Sequence, residues 1–157
     1  MKKKTIILLS FILAAAVLIG CKAEETEKYT DLTSLYDTLI KNPDMPEMIQ
    51  LSEKRMYSLF GTDVSSYPQA IAAVCGDSLR VDEIWLIQAE TKEDAANFAK
   101  LAKARIDQKY SENENYLPEQ AVIAKEGKII KKGSYLAMFV SPDADGMEKT
   151  FNEAFNG

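Results

Sequence analysis

Residues 31–157 read as one α+β domain, an antiparallel sheet of about four strands packed against helices, and three observations carry that reading. Apolar residues recur at helical spacing near the start, in the middle and at the end of this stretch. Between and after those helices lie short apolar runs bounded by turn residues, which is the strand signal. The links within the last group of runs, Glu126-Gly127 and Gly133-Ser134, are hairpin-sized. A parallel crossover would need a dozen residues or more, so antiparallel pairing is expected.

Ahead of the domain, residues 1–20 have the make-up of a lipoprotein signal peptide. Lys2, Lys3 and Lys4 form a charged n-region, and Ile6 to Ile19 form an apolar core interrupted only by Ser10. The run is too short, and ends too abruptly at charge, for a spanning helix. Leu18-Ile19-Gly20-Cys21 reads as a bacterial lipobox. Small residues there admit a peptidase that cuts between Gly20 and Cys21, and the Cys21 thiol carries a diacylglyceryl group. Stable anchoring takes two or more acyl chains, palmitate among them, so the domain is expected on the outer, extracytoplasmic face of the cell membrane. Residues 21–30 then form the lipidated cysteine and a charged, aperiodic tether.

Charge and composition narrow the function. Cleavage would remove three lysines and take the formal net charge from −5 to −8. An acidic surface of that kind argues against nucleic acid as a partner. With Cys21 spent on lipid, Cys75 has no partner in its own chain, so no disulfide framework is expected. Histidine is absent altogether, which removes the commonest general base and the commonest zinc ligand.

Taken in order, Leu32, Leu35, Tyr36, Leu39 and Ile40 make a first amphipathic helix, capped by Thr30 or Asp31 and stopped at Asn42-Pro43. Met45 to Met48 is turn-rich. Ser52 is placed to cap a second helix carrying Met56, Leu59 and Phe60, which Gly61 ends. Methionines 45, 48 and 56 are read as core filler rather than as a soft-metal stripe, because no cysteine or histidine joins them. Gln69 to Val74 is expected as a strand, Cys75-Gly76-Asp77-Ser78 as a turn, and Asp82 to Glu90 as a central strand with Ile84, Trp85, Leu86 and Ile87 in succession. Thr91 to Asp94 has capping-box spacing and starts the longest helix, with Ala95, Phe98, Ala99, Ala102, Ile106 and Tyr110 on its buried stripe. Ser111 to Pro118 reads as a polar connection. Val122 to Lys125, Ile129 to Lys132 and Tyr135 to Ser141 read as strands. Met147, Phe151, Ala154 and Phe155 mark a last helix.

Asp82-Glu83-Ile84, Tyr116-Leu117-Pro118, Gly133-Ser134-Tyr135 and Ser141-Pro142-Asp143, in that order behind a lipobox, resemble the bacterial lipoproteins of the domain of unknown function 4358 family, over about Asp31 to Phe155. The resemblance implies a secreted, lipid-anchored protein typical of Gram-positive bacteria, with no established activity. It carries no catalytic residues, so none is assigned.

Four groups of residues are candidates for a site. Asp143, Asp145, Gly146 and Glu148 look like part of a calcium loop, but the later ligands are missing and acidic capping of a helix start explains the same letters. Asp82 and Glu83 would point to opposite faces of a strand, so they are read as structural. Cys75 is the candidate reactive thiol, read chiefly as a buried small hydrophobe. Lys125, Lys128, Lys131 and Lys132 concentrate positive charge in one expected hairpin, either as a surface for lipid headgroups or an acidic partner or as edge protection, with edge protection favoured. No metal and no cofactor are called for. The reading that follows is a non-enzymatic, membrane-tethered interaction or ligand-binding module for an unknown protein or small molecule; the alternative is a thiol-dependent redox protein or enzyme using Cys75.

Overall fold

The computed structural model describes residues 28–156, and the α+β expectation holds: helices cover both faces of a five-stranded antiparallel sheet. In chain order the elements are α1 (Leu32–Leu39), β1 (Met48–Gln50), α2 (Glu53–Phe60), β2 (Gln69–Cys75), β3 (Glu83–Gln88), α3 (Lys92–Asn113), α4 (Pro118–Lys125), β4 (Lys128–Lys132), β5 (Tyr135–Val140) and α5 (Ala144–Ala154). The strand order is β1-β2-β3-β5-β4, which puts β1 and β4 at the edges.

The apolar runs of β3 and β5 are buried throughout because both sides of those strands are covered. Side chains alternate between two cores. Trp85, Ile87, Leu136, Met138 and Val140 pack under α2, α3 and α4, whereas Ile84, Leu86, Ala137 and Phe139 pack against α1 and α5. Phe60 of α2 stands edge-on to Trp85 at 4.7 Å and to Phe98 of α3 at 5.3 Å, tying both helices to the sheet. Asp31 caps α1 by accepting from the Thr33 N–H, and Thr91 Oγ1 caps α3 by accepting from Asp94 N–H at 3.0 Å. Gly61 ends α2 at φ 68°, a left-handed conformation that glycine takes without a Cβ penalty.

Several expectations need correction. Val122 to Lys125 is not a strand but the second half of α4, which Pro118 opens at its first turn. Ala121 and Ala124, three apart, are buried while Val122 is exposed, a pattern set by the helix and hidden by the β-branched letters. The expected polar connection from Ser111 begins as the last turn of α3, which runs to Asn113. The stretch before Ser52 contains the edge strand β1, only three residues long and half exposed, too short to show alternation. Ser52 stands at the cap position of α2 without a side-chain capping bond.

The chain enters the domain at one end of the sheet. Gln69, Gln88 and Tyr135 are register partners there. Thr30 N–H donates to the Tyr135 hydroxyl at 3.1 Å, and Gln69 Nε2 donates to the Thr30 carbonyl at 2.9 Å and to Gln88 Oε1 at 2.8 Å. The opposite end holds Val74, Glu83 and Val140, with the β2–β3 turn and the α3–α4 link beyond them.

Candidate functional site

Two loops meet at the end away from Thr30. In the β2–β3 turn, Asp77 Oδ1 accepts from Leu79 N–H at 2.9 Å and the Asp77 carbonyl accepts from Arg80 N–H, closing an aspartate turn. That geometry holds Leu79 outward, 64% exposed. In the α3–α4 link, Asn113 O accepts from the N–H groups of Tyr116 and Leu117, and Tyr116 projects 86% exposed. Gln120 Oε1 accepts from Val81 N–H at 3.0 Å and stitches the two loops together. Leu79, Tyr116, Leu117 and Pro118 thus line one shallow apolar recess of about 290 Å³, with Glu119 at its rim. Leu79 and Tyr116 are thus grouped in the open at this end.

Beneath that end lies a buried ion cluster. Glu83 is fully buried, and its Oε2 accepts from Lys109 Nζ at 2.7 Å and Arg105 Nη2 at 2.9 Å while Oε1 accepts from Trp85 Nε1 at 2.7 Å. Asp82 points the other way and binds Arg80 through two hydrogen bonds. The hydrogen bond to Asp82 raises the Arg80 guanidinium above its ordinary range. The two carboxylates take different partners, as their expected split between faces requires: Asp82 holds Arg80 of the preceding turn, whereas Glu83 engages α3 instead of ending that turn. The cluster around Glu83 was not foreseen. A signal for it existed, since Arg105 and Lys109 stand four apart on α3 and Lys109 falls in line with the buried Ala102 and Ile106.

Cys75 ends β2 and is half-buried rather than buried, because β1 covers one side of it and the turn leaves the other open. Its Sγ accepts from Asp77 N–H at 3.3 Å. The four lysines do not form one patch. Lys125 belongs to α4 and lies 5.6 Å over the Tyr110 ring. Lys128 pairs with Asp145 at 2.6 Å and Lys132 lies 5.8 Å over the Phe155 ring, both on the α5 side, while Lys131 is exposed. Asp145, through its hydrogen bond and then its charge, raises the Lys128 ammonium above its usual range. Between α3, α4 and β4 lies a groove of about 590 Å³ lined by Lys103, Ile106, Asp107, Tyr110, Lys125 and Ile129. Of the acidic residues near α5, Asp143 accepts from Asn42 Nδ2 at 2.8 Å and Asp145 pairs with Lys128. Among the described residues no three His, Cys, Asp or Glu side chains converge as a metal site. Gly20 and Cys21 lie outside the described residues.

A family model described as "Domain of unknown function (DUF4358)" matches residues 41–141, from just before β1 to just after β5. The matched span holds the whole sheet with α2, α3 and α4, and it is narrower than the 31–155 expected, leaving α1 and α5 outside. Nothing among curated proteins or solved structures matches the chain.

Proposed function

The chain belongs to the DUF4358 family, and from that premise we propose that it is a membrane-tethered extracytoplasmic binding module, held by lipid at Cys21 and offering its Leu79–Tyr116 end to a protein partner. The observation that carries this reading is polarity: the chain enters beside Tyr135, and the apolar recess lies at the other end of β3. Six residues of strand separate the two ends by about 20 Å, so a tether at Thr30 leaves the recess facing away from the anchored side. The leader and lipobox support the location; Leu79 and Tyr116, exposed on a locked pair of loops, support the role.

The test is a photoreactive side chain introduced at position 116 or, separately, at Glu90 near the entry end, in intact cells. The proposal expects a crosslinked partner from position 116, none from position 90, and loss of the product when Leu79 becomes Asp. A partner taken from position 90 instead, or a Cys21→Ser chain that stays in the membrane fraction, overturns it. Cys75 at the same end keeps a thiol-dependent reading alive, and its half-buried sulfur is the observation in favour. Cellular function surviving Cys75→Ser would remove that alternative.

A further inference from the structure

The outer edge of β4 and the α3–α4 groove form one surface. β4 closes the strand order, so one side of its backbone pairs with β5 and the other side has no ladder partner. Among the described residues no backbone hydrogen bond from elsewhere reaches Lys128–Lys132. The groove abuts the start of this strand through Ile129, and its apolar floor is completed by Ile106 and Tyr110.

Alternation fixes which charges lie beside it. Ile129 packs with the α3-side core and Ile130 with the α1/α5 side, so Lys131 shares the α3 side with Ile129. Lys128 and Lys132 are engaged on the other side by Asp145 and Phe155. Around the groove stand Lys103, Lys125 and Lys131, all exposed, with Lys125 over the Tyr110 ring of the groove itself. Lys103 pairs with Asp107 on the open surface, an interaction weak enough to be exchanged for a better acid.

Two occupants compete for such an edge. A second copy of this chain adding its own β4 would set lysines against lysines, and like charges directly opposite destabilise a strand pair. An extended acidic segment meets the opposite field: its backbone completes the ladder, its carboxylates face Lys125 and Lys131, and one apolar side chain covers Ile106, Tyr110 and Ile129. We propose that the β4 edge and this groove bind an extended acidic segment of a partner protein, added to the sheet as a sixth strand. This second surface is separate from the Leu79–Tyr116 end and does not depend on it.

The probe is a pool of capped nonapeptides combining Glu and Asp with Val, Leu and Phe, measured by fluorescence anisotropy against the full chain in detergent. A pool with Lys replacing the acids is the control. The proposal expects binding from the acidic pool alone. It also expects a loss of about tenfold or more in the Lys125→Glu/Lys131→Glu protein, with no loss in Leu79→Asp. N-methylating alternate residues of the best binder should abolish binding in one register and spare it in the other, because only one set of amides meets the edge. That arm leaves the protein untouched and decides the question even if the charge reversal perturbs folding. Absence of an acidic binder, equal tolerance of both N-methyl registers, or a peptide-blocked homodimer formed through β4 would overturn the proposal.

Discussion

Replacing Glu83 by glutamine tests what clamps α3 to the sheet. The change keeps the side chain's shape and removes its charge. With the amide oxygen left on Trp85 Nε1, the amide nitrogen stands where Oε2 accepted from Lys109 Nζ at 2.7 Å and from Arg105 Nη2 at 2.9 Å. Donors then face donors, and two cations remain without their counter-charge. Removing one partner of a buried ion pair costs about 3–5 kcal/mol. The Arg105 and Lys109 side chains are 20% and 10% exposed, which gives both a path to water and puts the expected cost at the lower end, about 3 kcal/mol. In a domain of this size 1 kcal/mol moves Tm by about 3–5 °C, so the variant should melt about 10–15 °C lower. Urea unfolding followed by far-ultraviolet circular dichroism and by the lone tryptophan, Trp85, reads the change. Adding Lys109→Met to Glu83→Gln should recover about 1 kcal/mol or more against additivity, because one of the stranded cations is gone. A loss below about 1 kcal/mol, or strict additivity, would refute the claim that charge balance holds this joint.

Other perturbations read other parts of the molecule. Gly127→Ala places a Cβ 3.0 Å from both the Ala124 carbonyl and Ile106 Cδ1, so it should cost about 1–3 kcal/mol in urea unfolding; a neutral change would mean that α4 gives way freely. Hydrogen bonds from Ser34 Oγ and then Thr33 N–H hold the Asp31 carboxyl below its ordinary 3.8, so its contribution is present above that value and is lost as pH falls through the lower folded value. Asp31→Asn should therefore flatten the fall in Tm below about pH 4, and an unchanged slope would contradict the assignment. Tyr116→Ser should stay within about 0.5 kcal/mol of the parent in stability while losing the partner; a large destabilisation would show that the exposed ring is structural after all. Native Cys75 should react with a maleimide, but more slowly than in urea, since the Asp77 N–H and β1 hold its sulfur; equal rates would show the turn to be open.

How much of this was legible depended on whether a residue's neighbours in sequence were also its neighbours in space. β3 and β5 announced themselves because strands covered on both faces must be apolar throughout, and the helix stripes of α1, α3 and α5 were legible, although Ile40 stands past the end of α1 and is exposed and Phe155 stands past the end of α5. α4 did not: eight residues give barely two turns, and Ala121 and Ala124 are buried for closeness to α3 rather than for hydrophobicity. β1 is a strand only because β2 offers a free ladder. At the candidate surfaces the same limit applies. Lysines 125 to 132 look like one cluster in the sequence, yet α4 and the pleat of β4 send them to different sides. Leu79 and Tyr116 are far apart in the chain, and the Gln120–Val81 bond ties their loops together.

That bond also bears on how the apolar end can work. Loops are where chains are ordinarily least ordered, and ordering them on binding subtracts from affinity. Here the recess is braced from below. Asp77 closes its turn on Leu79 and Arg80, Gln120 ties the turn to α4, and the Glu83 cluster fastens α3 to β3 one layer beneath. An exposed tyrosine on such a base is already in place, so under the proposed binding role docking would spend little on reorganisation. The Glu83→Gln variant therefore reaches beyond stability. If bracing matters, partner capture at position 116 should weaken in that variant below its melting temperature, while the domain is still folded. Undiminished capture under those conditions would make the recess self-sufficient and leave the buried ions a purely structural role.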